Sequence, residues 1–463
     1  MEAVLLIDFG STYTKVTAVD IGQQRLIGSA SSRTTVETDV ADGLASALAE
    51  MEKQTGRLEF SKRLACSSAA GGLRMVACGL VPELTAKAAS LASLGAGAKV
   101  VRVYSYYITE SDAMEIETIS PDILLLTGGT DGGNTECIVN NAAVLADMSA
   151  DFPIIIAGNR SCSSQVMRIL KHRQAYLCDN VMPSLDTLNI EPARQMIREI
   201  FLQRIVHAKG LSHTGQLLDG ILMPTPAAVL DGVELLANGV GEEPGIGELL
   251  AVDVGGATTD VFSVATGSPH NAEVIYKGLP EPFIKRTVEG DIGMRRSAPG
   301  IVEAVGISRV AKLAGLSEET TRNHLDRLAT HSDALPQNPE SKALDFALAA
   351  LAVETATLRH AGTLTETYTA AGRAYIQTGK DLTYIDKLVM TGGALLHSER
   401  QEELASFAMR SDLYPQSLRP KQAELFVDSR YILSAMGLLS SYEPRTALNI
   451  LKTNLNSPSS DNL

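Results

Sequence analysis

A short pattern occurs twice in this 463-residue chain and restricts its fold more than any other feature. The apolar run 4–7 leads into Asp8 and a turn of small and hydroxyl residues, after which two more apolar segments follow. The run 249–252 leads in the same way into Asp253 and a second turn of this kind. Continuous apolar runs of this length are typical of strands buried on both faces of a sheet. The repeated pattern therefore predicts two related α/β units.

The rest of the pattern predicts the domain organisation. Candidate strands and helices alternate after the first unit begins, which indicates a mainly parallel sheet covered by helices. We expect a first α/β domain at 1–245 with an inserted α/β region at about 73–180. A second α/β domain is expected at 246–452, helix-rich over 300–376, and the polar end at 453–463 is predicted to be a flexible tail.

Composition excludes several classes of function. The formal net charge is −14 and tryptophan is absent, so the basic surface and stacking rings of a nucleic-acid-binding protein are not expected. Five cysteines without a CxxC pair argue against a disulfide framework or a zinc site and favour reduced thiols in the cytoplasm. No secretory signal pattern and no apolar run of about 18 residues are present, so no membrane association is expected.

Three strand-ending turns carry the chemistry. Turns rich in glycine and hydroxyl residues expose backbone N–H groups that can bind phosphate. Asp8 and Asp253 end their strands, where a carboxylate can hold a hydrated Mg²⁺ beside a polyphosphate. Two such turns facing each other would bind the phosphates from both sides, and the third turn, residues 391–394, offers a backbone surface for a nucleoside.

The order of these turns resembles the actin, Hsp70 and sugar-kinase superfamily, whereas a Walker A motif is absent. The resemblance implies two actin-like (RNase H-like) ATPase domains that close on ATP or ADP with Mg²⁺. It implies metal-binding and catalytic roles for Asp8 and Asp253 and a catalytic role for Asp260. The cofactor-binding residues that it implies are Gly10, Ser11, Thr12 and Lys15 in phosphate-1, Gly255, Gly256, Thr258 and Thr259 in phosphate-2, and Gly392, Gly393 and Ala394 in the adenosine motif.

Two positions leave alternatives open. Lys15 matches a lysine of many relatives, but it is equally consistent with a solvated lysine at a strand edge. Residues 225–229 resemble the connecting segment that reads Glu-Pro-x-Ala-Ala in chaperone relatives, with Thr225 in place of the acid. The residue that would position the attacking water is therefore not identified, and we expect slow ATP hydrolysis.

Further segments resemble one branch of this superfamily, the accessory or reactivating factors of glutamate (methylaspartate) mutase. These segments are residues 66–73, 125–134, 285–295, 359–363 and 377–382. The resemblance implies an ATP-dependent chaperone that releases damaged cobalamin from an adenosylcobalamin-dependent amino-acid mutase. It implies a mutase subunit as partner, possibly a small cobalamin-binding subunit. No cobalamin site is expected in this chain, since the Asp-x-His-x-x-Gly pattern is absent.

Several alternatives remain. The chain could serve ornithine aminomutase, be a small-molecule kinase with Asp260 or Asp291 as base, or be a filament subunit. The glycine-rich segment 127–134 is either a ligand or partner loop or a structural crossover turn. The segment 289–296 either lines the nucleotide cleft or is a solvated loop in which Asp291 caps a helix.

Overall fold

The computed structural model of the protein divides into two compact units. It describes residues 2–10, 13–34, 40–68, 72–208, 219–271, 273–330, 335–370 and 372–455. Unit 1 comprises Met1–Leu235, Gly278–Pro282 and Ile432–Ile450. Unit 2 comprises Leu236–Lys277, Phe283–Tyr431 and Leu451–Leu463. Most of the tail expected from the sequence, residues 456–463, lies outside the described residues.

The first half of the chain contains ten strands and seven helices among the described residues. The strands are β1 (Ala3–Phe9), β2 (Tyr13–Asp20), β3 (Arg25–Arg33), β4 (Phe60–Ser67), β5 (Arg74–Gly79), β6 (Lys99–Ser105), β7 (Ile123–Leu126), β8 (Ile154–Ile156), β9 (Ala175–Leu177) and β10 (Gly220–Pro224). The helices are α1 (Val40–Thr55), α2 (Lys87–Gly95), α3 (Glu110–Ile119), α4 (Glu136–Ala146), α5 (Ser163–Ile169), α6 (Glu191–Ala208) and α7 (Thr225–Asn238). A π-helical turn, Pro82–Ala86, precedes α2, and a 3₁₀ turn, Arg160–Cys162, precedes α5.

The first sheet of unit 1 has the strand order β3-β2-β1-β4-β10. Strands β1, β2 and β3 pair antiparallel, whereas β4 pairs parallel with both β1 and β10. All seven residues of β1 are buried, as its apolar sequence predicts for a central strand. The carboxyl end of β1 carries Asp8, which the register places opposite Lys15 of β2 and Cys66 of β4.

The region inserted after β4 forms a second, wholly parallel sheet with the order β6-β5-β7-β8-β9. Side chains alternate along its strands, so each face joins a different hydrophobic core. Met75 and Ala77 of β5 belong to the core that also contains Leu5 of the first sheet. Val76 and Cys78 belong to a separate core with helices α3, α4 and α5. The mainly parallel sheet with alternating helices that the sequence predicts is present in this region.

The second half of the chain repeats the strand-rich beginning. Its strands are β11 (Gly239–Val240), β12 (Glu243–Pro244), β13 (Leu249–Val254), β14 (Thr259–Val264), β15 (Val274–Lys277), β16 (Ile284–Glu289), β17 (Thr363–Thr369), β18 (Gly372–Thr378), β19 (Lys387–Thr391) and β20 (Glu424–Val427). Its helices are α8 (Ala298–Val305), α9 (Ile307–Ala314), α10 (Glu318–Thr330), α11 (Pro339–His360), α12 (Gly393–Leu396), α13 (Gln401–Ser406), α14 (Leu433–Ser440) and α15 (Pro444–Asn454).

The main sheet of unit 2 has the order β16-β14-β13-β19-β20. Strands β13, β14 and β16 pair antiparallel in succession, whereas β19 pairs parallel with both β13 and β20. This order and these directions are the same as in the first sheet of unit 1. The chain therefore contains two actin-like (RNase H-like) α/β domains, and the fold class expected from the sequence is confirmed.

Helix α11 runs behind the main sheet of unit 2 and is buried along most of its length. Asn338 caps its first turn by accepting from the backbone N–H of Ser341, and Pro339 occupies the first helical position. The sequence predicts helices over 300–376. This prediction is correct for α11 but wrong for the end of the range. Residues 363–369 form β17 and residues 372–376 belong to β18, because the Thr and Tyr residues of these segments favour an extended chain.

A buried histidine at the end of α11 makes the stability of the protein depend on pH. Nε2 of His360 lies 2.8 Å from Oγ of Ser263, and Nδ1 lies 2.7 Å from Oγ1 of Thr287. Burial, together with the charges of Lys285 and Lys380, holds the pKa of His360 well below its ordinary value of 6.5.

We expect the free energy of unfolding to fall as the pH decreases below about 6.5. In that range the unfolded chain binds a proton at this histidine that the folded protein does not bind, at about 1.4 kcal/mol per pH unit. Urea unfolding at several pH values, compared between the wild type and His360→Gln, measures this contribution. An unchanged pH slope in the variant would contradict it.

Candidate functional site

The chain turns tightly after β1. The backbone N–H of Gly10 donates to the carbonyl of Tyr13 at 3.1 Å, which closes the turn. A Cβ atom at position 10 would lie 2.6 Å from that carbonyl oxygen, so only glycine fits without displacement. The predicted residues Ser11 and Thr12 lie outside the described residues. Lys15 lies on the same face as Asp8, as its register position opposite Asp8 requires.

Two hydroxyl groups hold the buried carboxylate of Asp8. Thr225 Oγ1 donates to Oδ1 at 2.7 Å, and Ser434 Oγ donates to Oδ2 at 3.1 Å. Burial and the neighbouring Asp8 carboxylate raise the pKa of the Cys66 thiol well above its ordinary value. Each carboxylate oxygen keeps lone pairs for a further donor, such as a water molecule of a hydrated cation. Thr225 therefore orients Asp8 and adds no second negative charge beside it.

Ser434 is a site residue that sequence reasoning missed. It lies on α14, far along the chain from Asp8, and it reaches Asp8 because α14 packs closely against α7. A Cβ atom at Gly232 would lie 2.5 Å from the carbonyl oxygen of Leu433. A Cβ atom at Gly437 would lie 1.7 Å from the carbonyl oxygen of Ala228. In the sequence, the small residues Gly232 and Gly437 were the only indication that these two helices cross closely.

The turn after β13 is closed by the same kind of hydrogen bond as the first. The backbone N–H of Gly255 donates to the carbonyl of Thr258 at 2.9 Å, as that of Gly10 does to Tyr13. The carbonyls of Gly255 and Gly256 accept from the N–H groups of Met294 and Arg295, which fixes the turn. Within the described part of the chain, the N–H groups of Gly256, Ala257 and Thr258 have no backbone acceptor, so three successive donors are available for an anion.

Asp260 lies opposite Asp253 in the register of β13 and β14, so the two carboxylates share one face of the sheet. Arg286 donates to Oδ1 of Asp260 through Nε at 2.8 Å and Nη2 at 2.6 Å. Thr258 Oγ1 donates to the other oxygen at 3.3 Å. Asp260 is therefore part of a buried ion pair, which does not favour the role of a free general base. Thr259, predicted to bind the cofactor, is buried and donates to the Ile292 carbonyl.

We expect Arg286→Met to lower the free energy of unfolding by about 3–5 kcal/mol, because it leaves the Asp260 charge buried and unpaired. The double variant Arg286→Met/Asp260→Asn should recover a large part of that loss, since neither charge remains. Urea denaturation of the two single variants and the double variant measures the coupling. Additive losses would show that the two side chains do not stabilise each other.

The third turn lies beside Asp253. The strand β19 pairs with β13 so that Thr391 is opposite Asp253, and Gly392 follows with a φ angle of +96°. A Cβ atom at Gly392 would lie 2.4 Å from the Val254 carbonyl oxygen and 2.7 Å from Oδ1 of Asp253. Gly393 and Ala394 begin the short helix α12. Unit 2 thus brings together the predicted phosphate-2 and adenosine residues, while Asp8, Gly10 and Lys15 lie together in unit 1.

The structure favours one interpretation of the glycine-rich segment 127–134. Asn159 accepts from the N–H of Gly132 and donates to the carbonyls of Gly133 and Asn134. Asn180 donates to the Gly129 carbonyl at 3.1 Å. Because two buried asparagines satisfy the polar groups of the segment, its geometry is that of a structural crossover turn.

The acidic segment after β16 does not cap a helix. Glu289 ends β16, where burial raises the pKa of its carboxyl group and Arg359 pairs with it. Asp291 is exposed in the turn that follows, and α8 begins only at Ala298, after Ser297. The interpretation of Asp291 as an N-cap residue is therefore wrong.

The residues present fit a nucleotide-bound, hydrated Mg²⁺ better than a metal held by protein alone. Within the described ranges, no three His, Cys, Asp or Glu side chains are grouped closely enough to hold a metal ion. Mg²⁺ in nucleotide sites keeps several waters and takes one or two carboxylates plus phosphate oxygens. Each unit has one carboxylate at the end of its central strand, Asp8 in unit 1 and Asp253 in unit 2, and the N–H groups of the second turn can bind phosphate. No helix in the described segments has the length and apolar character needed to cross a membrane.

The repeated sheet and turn define a protein of the actin-like α/β class, and comparisons with known proteins identify its family. The sequence matches the MutL protein family over residues 4–455. It is 46% identical over 459 residues to Protein MutL of Clostridium tetanomorphum, a match that covers 98% of this chain and 99% of that protein. The chain therefore belongs to the MutL family, the glutamate mutase accessory family that its motifs resemble.

Similarities to solved structures are weaker. A diol dehydratase-reactivating factor in nucleotide-free form is 11% identical, with 96% of this chain and 100% of that chain covered and a TM-score of 0.37. A xylulose kinase from Bifidobacterium adolescentis is 13% identical, with 99% and 94% covered and a TM-score of 0.33. TM-scores of 0.33 and 0.37 are too low to support a conclusion about this chain.

Proposed function

We propose that this protein is an ATP-dependent reactivating chaperone, which releases damaged cobalamin from an adenosylcobalamin-dependent amino-acid mutase of the glutamate mutase type. One observation carries the proposal: a chain of the MutL family has the same carboxylate-and-glycine turn in two domains of the same topology. We propose that Asp8 of the first turn and Asp253 of the second bind one Mg²⁺–nucleotide together.

Each residue has a defined part in this proposal. The backbone N–H groups of residues 256–258 bind phosphate oxygens, and the backbone of Gly392, Gly393 and Ala394 binds the nucleoside. Asp8, oriented by Thr225 and Ser434, accepts from water bound to the cation. Mg²⁺ neutralises the charge of the polyphosphate when bound.

Binding and hydrolysis of ATP then change the conformation of the protein while the partner is bound to it. ATP and ADP favour different conformations of such a protein, and a partner is driven open only to the extent that it binds these conformations with different affinity. The partner we propose is a cytoplasmic B12-dependent mutase, through its small cobalamin-binding subunit. Because no acid stands at position 225, we propose slow hydrolysis, below about 10 s⁻¹.

The contacts do not favour Asp260 as the base of a kinase. A kinase needs a free carboxylate to accept the proton of an acceptor hydroxyl. Asp260 is paired with Arg286, whereas Asp291, the other candidate base, is exposed in the turn after β16. Phosphate release in the absence of any acceptor supports the chaperone, whereas ADP production that requires an acceptor would support a kinase.

A reactivation assay tests the proposed function. Glutamate mutase inactivated with cyanocobalamin should recover activity when this protein, ATP, Mg²⁺ and fresh adenosylcobalamin are added together. Omission of ATP should prevent recovery. Ornithine aminomutase, assayed in parallel, distinguishes the two mutase partners. No recovery of either mutase would contradict this function and leave the fold unaffected.

A further inference from the structure

A pocket of about 280 Å³ lies in unit 2, away from the three turns. Its lining consists of Glu248, residues 266–270, Asp381, Tyr384 and Ile385. Glu248 precedes β13, whereas Asp253 lies near the other end of that strand. At 3.3 Å per residue the two positions are about 17 Å apart, so the pocket is separate from the proposed nucleotide site.

A fixed carboxylate faces this pocket with one oxygen unsatisfied. The backbone N–H of Asp381 donates to the Gly267 carbonyl at 3.0 Å, and its Oδ1 accepts from the N–H of Thr383 at 2.9 Å. The side chain is only 10% exposed, yet Oδ2 accepts no hydrogen bond from any described residue. Nε2 of His270 lies 3.8 Å away, beyond hydrogen-bond distance. A carboxylate oxygen that faces a pocket without a protein donor can accept from a ligand or from water.

The floor of the pocket is rigid. Gly267 has a φ angle of +64°, and a Cβ atom there would lie 2.2 Å from Cγ of Lys380. Nε2 of Gln377 donates to the Gly267 carbonyl at 2.8 Å. Lys380 is fully buried, and its Nζ donates to the Phe283 carbonyl at 2.6 Å. The Asp381 carboxylate is therefore held in place before any ligand binds.

The walls of the pocket combine aromatic rings with a second carboxylate. The rings of His270 and Tyr384 meet edge to face with centroids 4.3 Å apart. Lys421 Nζ lies 4.6 Å from the Tyr384 ring centroid, so this ring already attracts one ammonium group. Oε1 of Glu248 accepts from the N–H and hydroxyl of Thr266, and Oε2 has no donor among the described residues. Carboxylates with aromatic rings form the chemistry that recognises organic cations.

We propose that this pocket binds an organic cation, a primary ammonium or a guanidinium group, which pairs with Asp381 Oδ2 and packs against Tyr384 and His270. A metal ion does not fit, because the described residues hold no group of three metal-ligating side chains. The cation can come from a free small molecule or from a lysine or arginine side chain of a protein. Both sources have the same chemistry, and binding experiments distinguish them.

Calorimetry on the full chain without nucleotide tests the proposal with defined probes. These are n-butylammonium, L-arginine amide, the pentapeptide Gly-Ala-Arg-Ala-Gly and the same peptide with norleucine in place of arginine. We expect the best cationic probe to bind with a Kd of about 1 mM or tighter and the norleucine peptide not to bind. Asp381→Asn should weaken binding about tenfold or more, since the paired charge is lost while Oδ1 can still accept from Thr383.

Asp386→Asn is the matched control, because Asp386 is 73% exposed on the same segment and pairs with Lys387. Equal binding of arginine amide and the arginine peptide would indicate a small-molecule ligand, and binding of the peptide alone a protein side chain. Glu248→Gln serves as a second variant if Asp381→Asn does not fold. Absence of binding by every cation, or equal weakening by Asp381→Asn and Asp386→Asn, would overturn the proposal. The assay needs no nucleotide, so its outcome is independent of the proposed chaperone function.

Discussion

Asp8→Asn and Asp253→Asn should each reduce phosphate release from Mg²⁺–ATP by about 100-fold or more. Asparagine keeps the shape of aspartate but removes the charge that holds the hydrated cation beside the phosphates. The two residues occupy the same place in the two sheets, so we expect a similar loss from either variant. Phosphate release under excess ATP, without an acceptor, is the measurement.

Asp20→Asn is the control for these variants. Asp20 is also buried and ends β2, but its Oδ1 accepts from the N–H of Gln23 at 3.1 Å and lies outside the turns. Circular dichroism should show that the Asp8 and Asp253 variants keep the fold. Wild-type turnover in either of them would mean that its turn has no part in hydrolysis.

Gly437→Ala should lower the free energy of unfolding of unit 1 by about 3 kcal/mol. The added Cβ atom would lie 1.7 Å from the Ala228 carbonyl oxygen and 2.8 Å from the Gly232 nitrogen, so α14 must move away from α7. Because Ser434 on α14 donates to Asp8, that displacement should also slow ATP hydrolysis. Urea unfolding and phosphate release measure the two effects.

Gly22→Ala is the matched glycine variant. A Cβ atom at Gly22 meets only Oδ1 of Asp20, at 3.6 Å, which is an ordinary contact. This variant should leave stability and hydrolysis near wild-type values. If Gly437→Ala is as mild as Gly22→Ala, the helix crossing is not the rigid support that holds Ser434 against Asp8.

The sequence predicts those features of the fold that depend on local patterns. The apolar runs before Asp8 and Asp253 identify β1 and β13, and the turns after them follow from glycine and hydroxyl residues. By contrast, β17 and β18 have a mixed sequence of Thr, Glu, Tyr and Gly in a mostly exposed sheet. Their pattern lacks the apolar alternation that identifies a strand, so sequence reasoning placed helices there.

The contacts that orient or neutralise the site carboxylates depend on tertiary packing and could not be predicted from the sequence. Ser434 reaches Asp8 only because two helices from distant parts of the chain cross at glycines. Arg286 pairs with Asp260 because β16 lies next to β14, a neighbour relation that no local pattern specifies. The motif residues could thus be identified from the sequence, whereas the partners that orient or neutralise them required the structure.

Titration calorimetry with a slowly hydrolysed ATP analogue and Mg²⁺ tests the central claim most directly. If the turns of both units bind one nucleotide, the full chain should bind a single nucleotide, and Asp8→Asn and Asp253→Asn should each weaken that same binding event. Two independent binding events, or normal affinity in one of the variants, would contradict the account.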